Sequence, residues 1–355
     1  MLRQLKLKNF RCFEDHTVVF DKTTVVVGKN NAGKSTLVEA LQLLSLAVNR
    51  KGGNFVSPPQ WLGISRFRTC IAPKVSRLDF NLETIFHRYG DPPAEITGSF
   101  SDDVTVTVYL GQEERIYAFF RKGDKWITSP AQLINLRLPW IYILPQVGPL
   151  QLTEPLLTEN YIDENLYSRL ASRHFRNQIF RNQPQFAEFK SLAELTWHGL
   201  QVKPVERKMT KEGTFLEMQV RDGDFVAEVG SMGHGLQMWL QTIWFVSRTP
   251  TDGTIVLDEP DVYMHPDLQR KLFRLVNGRY SQAILATHSV EIMAEAEPDN
   301  ILIIDKRRRR SHYANNEPGV QFLIDRLGGI HNVHLALLFS ARKFLFVEGK
   351  DLAGC

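Results

Sequence analysis

The sequence has few cysteines and no long apolar run. Only three cysteines occur in 355 residues, at Cys12, Cys70 and Cys355. Cysteines this few and this far apart form neither a disulfide framework nor a metal-binding cluster, and they fit a reducing compartment. No stretch approaches the roughly 18 apolar residues of a membrane span, and the N-terminus lacks the apolar segment of a signal peptide. We therefore expect a cytoplasmic protein that does not associate with membranes.

A strong charge of one sign is also missing. Lysine and arginine total 43 against 39 acidic residues, which leaves a net charge of +4. This balance allows an acidic partner without requiring one. The hydrophobic content of 43% can fill a substantial core, and a chain of this length indicates one large domain with an insertion, or two domains.

Short β-branched runs alternate with helical patterns along the chain, which predicts an α/β fold. The closing order of strand, helix and strand is typical of a mostly parallel sheet. Within the helical stretch at 160–198, the expected packing positions are Phe175, Ile179, Phe186 and Phe189. The predicted strands are at 5–9, 17–20, 24–27, 104–109, 116–120, 140–144, 254–257, 283–286 and 300–304, with more between 201 and 227. The other predicted helices are at 33–48, from about 235, and at 266–277 and 290–295.

A glycine-rich segment follows the third predicted strand and matches the P-loop pattern of Gly, four residues, Gly-Lys-Ser/Thr. Glycine lets backbone N–H groups turn toward a phosphate at the positive end of the next helix. Lys34 adds charge at the β- and γ-phosphates, and the Ser35 hydroxyl can bind Mg²⁺. The sequence thus predicts ATP and Mg²⁺ as ligands. The segment consists of Gly28, Lys29, Asn30, Asn31, Ala32, Gly33, Lys34, Ser35 and Thr36.

Two carboxylates, Asp258 and Glu259, end the predicted strand at 254–257. Ligands of an open α/β sheet bind at this carboxyl edge. We expect Asp258 to hold Mg²⁺ through its water shell and Glu259 to polarise the attacking water. An acidic turn after a strand is common by itself, but a P-loop in the same chain favours hydrolysis.

Two further segments could also contact phosphate groups. A Ser/Gly-rich turn at 231–237 opens a predicted helix, where free N–H groups could bind a second phosphate. An ordinary helix cap explains this turn equally well. His288 follows the strand at 283–286 and could donate a hydrogen bond to the γ-phosphate, although a lone histidine there is usually a surface residue. The residues of the turn that we expect to contact nucleotide are Ser231, Gly233, Gly235 and Gln237.

In this order the segments resemble the ATP-binding-cassette (ABC) ATPases. The resemblance implies an ABC-type P-loop ATPase with a mixed β-sheet core, an N-terminal antiparallel β-subdomain and a helical insertion. It assigns 231–237 to the signature motif, Asp261 to the loop after the acidic pair, and His288 to the switch histidine. The signature is looser than Leu-Ser-Gly-Gly-Gln, so its helix-opening geometry is the better guide. Of the glutamines, Gln146 is the candidate for sensing Mg²⁺, and Gln151 is the next.

The opening Leu7-Lys-Asn-Phe-Arg11-Cys-Phe and the run from Glu259 to Pro266 are similar to the SMC/RecF-like branch. In that branch the arginine lies near the nucleotide, which makes Arg11 a candidate contact. Residues 343–351, with Glu348, resemble the start of a TOPRIM domain, which follows the ATPase in the OLD family and related phage-defence ATPases. The chain stops before the Asp-x-Asp motif that completes a TOPRIM metal site. We therefore expect no nuclease activity from this chain alone.

The resemblance divides the chain into an ABC-type ATPase domain at 1–340 and the first strand of a truncated TOPRIM-like domain at 341–355. Within the ATPase domain the expected core is 1–50 and 229–305. The expected β-rich segment is about 75–145, and the helical insertion is about 155–200.

In the ABC superfamily, the signature of one subunit completes the nucleotide site of another. The resemblance therefore implies a homodimer or higher homo-oligomer with ATP between the subunits, together with an effector nuclease or TOPRIM partner. The basic run at 306–310 is either a solvated loop or a contact with DNA phosphates.

The leading functional hypothesis is an ATP-hydrolysing module of a DNA-processing or anti-phage defence system, whose dimerisation controls an effector. The alternatives are a RecF-like DNA-repair clamp without nuclease, a transporter motor subunit, and an ATP-bound sensor that scaffolds a partner. The intact Glu259 favours hydrolysis. The SMC/RecF-like N-terminus and the long insertion before the signature disfavour a transporter.

Overall fold

The computed structural model of the chain describes residues 1–50, 54–75, 84–145, 147–165 and 171–315. Gln146 and the TOPRIM-like segment at 341–355 lie outside these residues. In the described part of the chain the strands form three sheets, with helices packed against them. Within the same ranges, no helix has the length and apolar content needed to cross a membrane.

The central sheet is mostly parallel, and its strand order is β10-β15-β16-β3-β17-β18. Only β17 and β18 pair antiparallel. The predicted strands at 24–27, 254–257, 283–286 and 300–304 are confirmed in this sheet. The strand predicted at 140–144 is also present, but it pairs in parallel with β15, so it belongs to the core sheet and not to the β-rich segment. The strands are β3 (Thr23–Val27), β10 (Ile141–Ile143), β15 (Thr254–Asp258), β16 (Gln282–Ala286), β17 (Ile301–Ile303) and β18 (His312–Tyr313).

The second sheet is antiparallel throughout, with the order β2-β1-β6-β7-β8-β5-β4 and β9 beside β8. Along β7 fully buried residues alternate with partly exposed ones, as expected for a strand with one face in a core. This sheet confirms the predicted antiparallel N-terminal part of the fold. Its strands are β1 (Leu2–Phe10), β2 (Phe13–Val19), β4 (Phe55–Val56), β5 (Cys70–Ile71), β6 (Ala94–Phe100), β7 (Val104–Leu110), β8 (Ile116–Lys122) and β9 (Lys125–Ile127).

A third, smaller antiparallel sheet lies beside the predicted helical stretch, with one short strand before that stretch and three strands after it. Its strands are β11 (Glu154–Pro155), β12 (Leu200–Thr210), β13 (Gly213–Asp222) and β14 (Phe225–Glu228). The stretch predicted as helical at 160–198 contains separate helices, and α5 begins with Pro184 in its first turn, where proline is tolerated. Phe175, Ile179 and Phe189 are buried as predicted, and Phe186 is partly buried.

Most of the helices pack against these sheets. The helices are α1 (Lys34–Val48), α2 (Pro130–Ile134), α3 (Glu159–Asn165), α4 (Phe175–Arg181), α5 (Gln183–Thr196), α6 (His234–Arg248), α7 (Pro266–Arg279) and α8 (Val290–Glu295).

The parallel sheet separates two hydrophobic cores. Val25 and Val27 face the core that contains α6 and the third sheet, whereas Val26 faces the core that contains α1 and the antiparallel sheet. This division follows from the period-two alternation of a strand. The sequence predicts one apolar face on α1, but Val38 and Leu43 are buried as well, because sheets lie on both sides of the helix.

One buried amide joins the antiparallel and parallel sheets. Gln282, fully buried at the start of β16, accepts a hydrogen bond from the Leu2 N–H at 3.0 Å and donates to the Leu2 carbonyl at 2.7 Å. It also donates to the Asp21 carbonyl at 3.1 Å and accepts from the Thr254 hydroxyl at 2.8 Å. The donors and acceptors of the amide are therefore all used.

We predict that Gln282→Met lowers the free energy of unfolding by about 3 kcal/mol, because it leaves the Leu2 N–H and carbonyl buried without partners. Thr254→Val is the control. It removes one hydrogen bond of the same amide but orphans no backbone group, so we expect a loss of about 1 kcal/mol. Denaturant unfolding measures both, and equal losses would contradict the role given to Gln282.

Candidate functional site

The register of the parallel sheet brings distant segments to one edge. Asp258 pairs with Ala286, Ala286 with Val26, and Ile303 with Val27. The segments that follow β3, β15 and β16 therefore all leave the sheet at its carboxyl edge, where ligands of such sheets bind. These are the P-loop, the acidic pair and the segment containing His288.

The glycines of the P-loop are required by close packing. Gly33 has φ of +115°, and a Cβ placed on it would lie 2.4 Å from the Phe13 ring. A Cβ on Gly28 would lie 2.7 Å from the Ile304 carbonyl oxygen. Any other residue at these positions would displace the loop from β2 or from the end of β17.

The start of α1 can accept an anion. No side chain caps it, and its first turn contains no acidic residue, so the positive end of the helix is not neutralised locally. Asn30, Asn31 and Ser35 are exposed, Ala32 is buried, and Thr36 is half-buried with its hydroxyl 3.5 Å from Cys12 Sγ. The start of α1 is thus open to an anion, and phosphate binding by the predicted loop stays a prediction.

Three predicted catalytic side chains meet at this edge. Lys34 Nζ lies 2.5 Å from His288 Nε2 and 3.3 Å from the Gly28 carbonyl oxygen, and His288 Nε2 lies 3.5 Å from Glu259 Oε1. Burial lowers the pKa of Lys34, while the nearby carboxylates of Glu259, Asp258 and Asp261 oppose that shift. Burial and the Lys34 charge lower the pKa of His288. A neutral His288 can therefore accept a hydrogen bond at Nε2 from the Lys34 ammonium.

Asp258 has the properties of a cation ligand. Its Oδ1 is buried and has no hydrogen-bond partner among the described residues. Burial, followed by the charge of Glu259, raises its pKa to about 6. A buried carboxylate oxygen without a donor fits a metal ion, which would replace the missing hydrogen bond. Within the described ranges no group of three His, Cys, Asp or Glu side chains could hold a metal alone. Asp258 and Ser35 would therefore share Mg²⁺ with nucleotide phosphates, as this ion commonly does.

The turn after Asp258 has a strained backbone. Glu259 has a φ of +44°, and its N–H donates to the Ala286 carbonyl at 2.8 Å. The Thr287 hydroxyl donates to Asp261 Oδ1, which ties this turn to the end of β16. Thr287 was not predicted from the sequence, although its position beside His288 in Ala-Thr-His-Ser was a local signal. Non-glycine residues with positive φ cluster at functional sites.

The Ser231 turn, residues 229–233, precedes α6. Ser231 and Gly233 are exposed, and a Cβ on Gly235 would lie 3.0 Å from the Tyr263 carbonyl oxygen. The start of α6 therefore lies against the loop that follows the acidic pair. No side chain caps α6, and its first turn has no acidic residue.

Gln237 differs from its predicted role. Its side chain is buried, donates to the carbonyls of Gly230 at 3.0 Å and Met232 at 2.6 Å, and accepts from the Leu150 N–H at 2.7 Å. Because α6 turns this side chain inward, the amide supports the Ser231 turn and is not available to a nucleotide.

Arg11 also has partners within the chain. Its guanidinium lies 2.9 Å and 3.2 Å from the carboxylate oxygens of Glu39 on α1 and also contacts Thr84. The guanidinium therefore forms an ion pair with Glu39, which lies on α1 one turn beyond the P-loop. Contact between Arg11 and a nucleotide stays a prediction.

The basic run forms an exposed turn between β17 and β18, as predicted for a loop after this strand. Residues 306–310 are all exposed, and Arg307 pairs with Asp305. The turn is anchored by the buried His16, whose Nδ1 lies 2.6 Å from the Arg308 carbonyl oxygen and whose Nε2 lies 2.8 Å from Ser311 Oγ. Contact with DNA stays a prediction.

Comparison with solved structures supports the fold. An Smc head bound to the C-winged helix domain of ScpA aligns with a TM-score of 0.54, at 15% identity, over 88% of this chain and 97% of that one. An Smc head with an extended coiled coil, bound to the C-terminal domain of ScpA derived from Pyrococcus furiosus, aligns with a TM-score of 0.52, at 14% identity, over 88% of this chain and 95% of that one.

Sequence comparison points in the same direction. The OLD nuclease of Thermus scotoductus is 22% identical over 411 aligned positions, which cover 98% of this chain and 72% of that protein. The DNA replication and repair protein RecF of Bacillus cytotoxicus is 37% identical over 54 residues, or 15% of this chain and 14% of that protein. These matches confirm the resemblance to SMC/RecF-like and OLD-family ATPases. Residues 23–294 match the family described as "AAA domain, putative AbiEii toxin, Type IV TA system", and the chain belongs to that family.

Proposed function

We propose that this chain binds ATP with Mg²⁺ at the carboxyl edge of its parallel sheet and hydrolyses it to ADP and phosphate. The observation that carries this proposal is the meeting of Lys34, His288 and Glu259 beside Asp258, whose Oδ1 has no hydrogen-bond partner in the described part of the chain. Lys34 can pair with the charge of a phosphate, and His288 can donate or accept a hydrogen bond. Glu259 can act as a base, and Asp258 can bind a cation.

Each residue has a definite part in this reaction. The P-loop N–H groups and Lys34 bind the phosphates, and Lys34 exchanges His288 for phosphate oxygens when nucleotide arrives. Glu259 is 44% exposed, so its carboxylate can orient a water molecule and accept its proton. His288, held neutral, can donate from one ring nitrogen to a phosphate oxygen. Asp258 and Ser35 would hold Mg²⁺, which would supply positive charge next to the phosphates.

The Ser231 turn supports a dimeric site. Its exposed residues and the uncapped start of α6 form a second anion-binding surface, separate in sequence from the P-loop. We propose that two copies of the chain meet head to tail, so that the Ser231 turn of each contacts the nucleotide on the other's P-loop. ATP would then hold the dimer together, and hydrolysis would release it.

The similarity to an OLD nuclease over 98% of the chain supports a role in DNA processing or anti-phage defence. We propose that ATP-dependent dimerisation controls an effector nuclease or TOPRIM partner, with DNA phosphates bound at the basic turn. The short match to RecF supports a second candidate, a DNA-repair clamp without nuclease. Detection of nuclease activity in a complex with a partner would separate the two.

We predict that Glu259→Gln binds ATP with the affinity of the parent but hydrolyses it about 100-fold more slowly, because the base is lost while the phosphate contacts remain. In ATP it should accumulate as a dimer in sedimentation velocity. The control is Lys34→Met, which should fail to bind ATP and so stay monomeric. A strictly monomeric Glu259→Gln protein at micromolar concentration would overturn the dimer proposal.

The pKa of Asp258 predicts how Mg²⁺ binding depends on pH. The pKa of about 6 in the free chain means that a proton competes with Mg²⁺ below pH 6. Affinity for Mg²⁺ should therefore rise with pH through 6 and level off above it, by about tenfold between pH 5 and pH 7. Calorimetry with a non-hydrolysable ATP analogue measures this. Since the analogue also titrates, Asp258→Asn gives the baseline, and identical pH dependence in both proteins would refute the assignment.

DNA binding at the basic turn can be tested by its salt dependence. Replacing Arg308, Arg309 and Arg310 by serine should make the slope of log affinity against log salt shallower, by about 0.9 for each DNA phosphate that the turn neutralises in the parent. The matched control removes three exposed charges from β12 and the turn after it, at Lys203, Lys208 and Lys211. Fluorescence anisotropy across salt concentrations measures the slopes, and an unchanged slope excludes the turn from the interface.

A further inference from the structure

A buried arginine lies behind the Ser231 turn. Arg176 of α4 is fully buried, and its Nε and one terminal nitrogen donate to the two carboxylate oxygens of Glu228 at 2.7 Å each. Its other terminal nitrogen lies 3.2 Å from Oε2 of Glu154, which is also buried. The two-point contact with Glu228 fixes the direction of that carboxylate, because the guanidinium is planar and rigid.

Glu228 transmits this orientation to the turn. Its Oε2 accepts from the Gly230 N–H at 2.7 Å, one residue before Ser231. On the other side of the same residue, the Gly230 carbonyl accepts from Gln237 at 3.0 Å. There is no room for a side chain at Gly230, since a Cβ would lie 2.6 Å from the Gln151 carbonyl oxygen. The turn is thus held from both sides in one conformation.

The buried polar residues around Arg176 and Gln237 also contact residues 148–151, which follow β10 in the chain. Strand β10 pairs in parallel with β15, so the chain after β10 starts beside the acidic pair. At the other end of this segment, the Gln151 carbonyl accepts from Arg176 at 2.9 Å and the Leu150 N–H donates to Gln237. The Gly148 carbonyl accepts from Gln241 at 2.7 Å. One buried polar cluster therefore contacts both the Ser231 turn and the segment from the P-loop edge.

We propose that Arg176 is a positioning residue for hydrolysis in the partner subunit: by orienting Glu228, it holds the Ser231 turn in the conformation that contacts the nucleotide on the other copy. This inference rests on the proposed head-to-tail dimer. A purely structural ion pair would be replaceable, since buried ion pairs add little net stability over apolar residues. A role in orienting Glu228 instead depends on the two N–H groups that the planar guanidinium donates to its carboxylate.

The first test is Arg176→Lys, which keeps the charge but cannot make the two-point contact. We expect ATP hydrolysis to fall about 100-fold, the effect of a small displacement at a site, while the affinity of the variant's own P-loop for ATP stays unchanged. Arg181→Lys is the matched control: Arg181 lies on the same helix but pairs with Glu159, and this variant should hydrolyse ATP at the parent rate.

The decisive test mixes Arg176→Lys with Lys34→Met, each inactive alone. In a mixed dimer, the intact P-loop of the first protein faces the intact Ser231 turn of the second, so one site is whole. Activity should rise well above that of either protein alone, to at most about one half of the parent rate per chain, because each mixed dimer has one working site. A misfolded Arg176→Lys protein could not supply that P-loop. Glu228→Gln, at a carboxylate that is 19% exposed, gives a milder second variant and should behave in the same way.

A parallel mixture separates this inference from the proposed function. Ser231→Ala mixed with Lys34→Met should also regain activity if sites form between subunits. Recovery in this mixture, but not with Arg176→Lys or Glu228→Gln, would overturn the positioning role alone. Recovery in neither would overturn the head-to-tail dimer and the inference with it. Full activity of Arg176→Lys by itself would also overturn the positioning role.

Discussion

The parallel pairing of β16 with β3 on one side and β15 on the other is the constraint on which the candidate site depends. It aligns Val26, Ala286 and Asp258 across the sheet, although these residues are far apart in the chain. Because side chains alternate along a strand, a slip of one residue would exchange the two hydrophobic cores as well as misplace the site. The packing that stabilises the fold and the geometry of the site are therefore set by the same register.

That register also brings charged groups together at a partly buried edge. Burial disfavours the charged forms of Lys34, His288 and Asp258, and the pKa of each is shifted in that direction. Lys34 opposes the shift of Asp258, and Glu259 opposes the shift of Lys34. Lys34 thus compensates part of the negative charge of these carboxylates, and Asp258 Oδ1 has no hydrogen-bond partner among the described residues. Buried charged groups with shifted pKa values are common at functional sites, where a bound ligand can supply the interaction that the protein lacks.

The third sheet and the helices beside it give the Ser231 turn a rigid support. Arg176, Glu154 and Glu228 come from three different elements and meet in a buried cluster. Ser231 and Gly233 of the predicted phosphate-binding turn are exposed, whereas Arg176 and Glu154 are fully buried. This arrangement combines an accessible loop with a fixed conformation, which limits the entropy lost when a ligand or a second subunit binds.

The sequence by itself determined the local features: the buried strand before the P-loop, the glycines of that loop, the helix after it, and the acidic pair that ends β15. These leave short-range patterns, because β-branched runs, glycine spacing and helical periodicity act within a few residues. Only the tertiary structure decided that β10 joins the parallel sheet, that Arg11 pairs with Glu39, and that Gln237 turns inward. It also decided the partners of Arg176, which lie 22 and 52 residues away. Contacts between residues that are distant in the chain produce no local sequence pattern. The sequence therefore indicated the candidate catalytic groups but not the residues that position them.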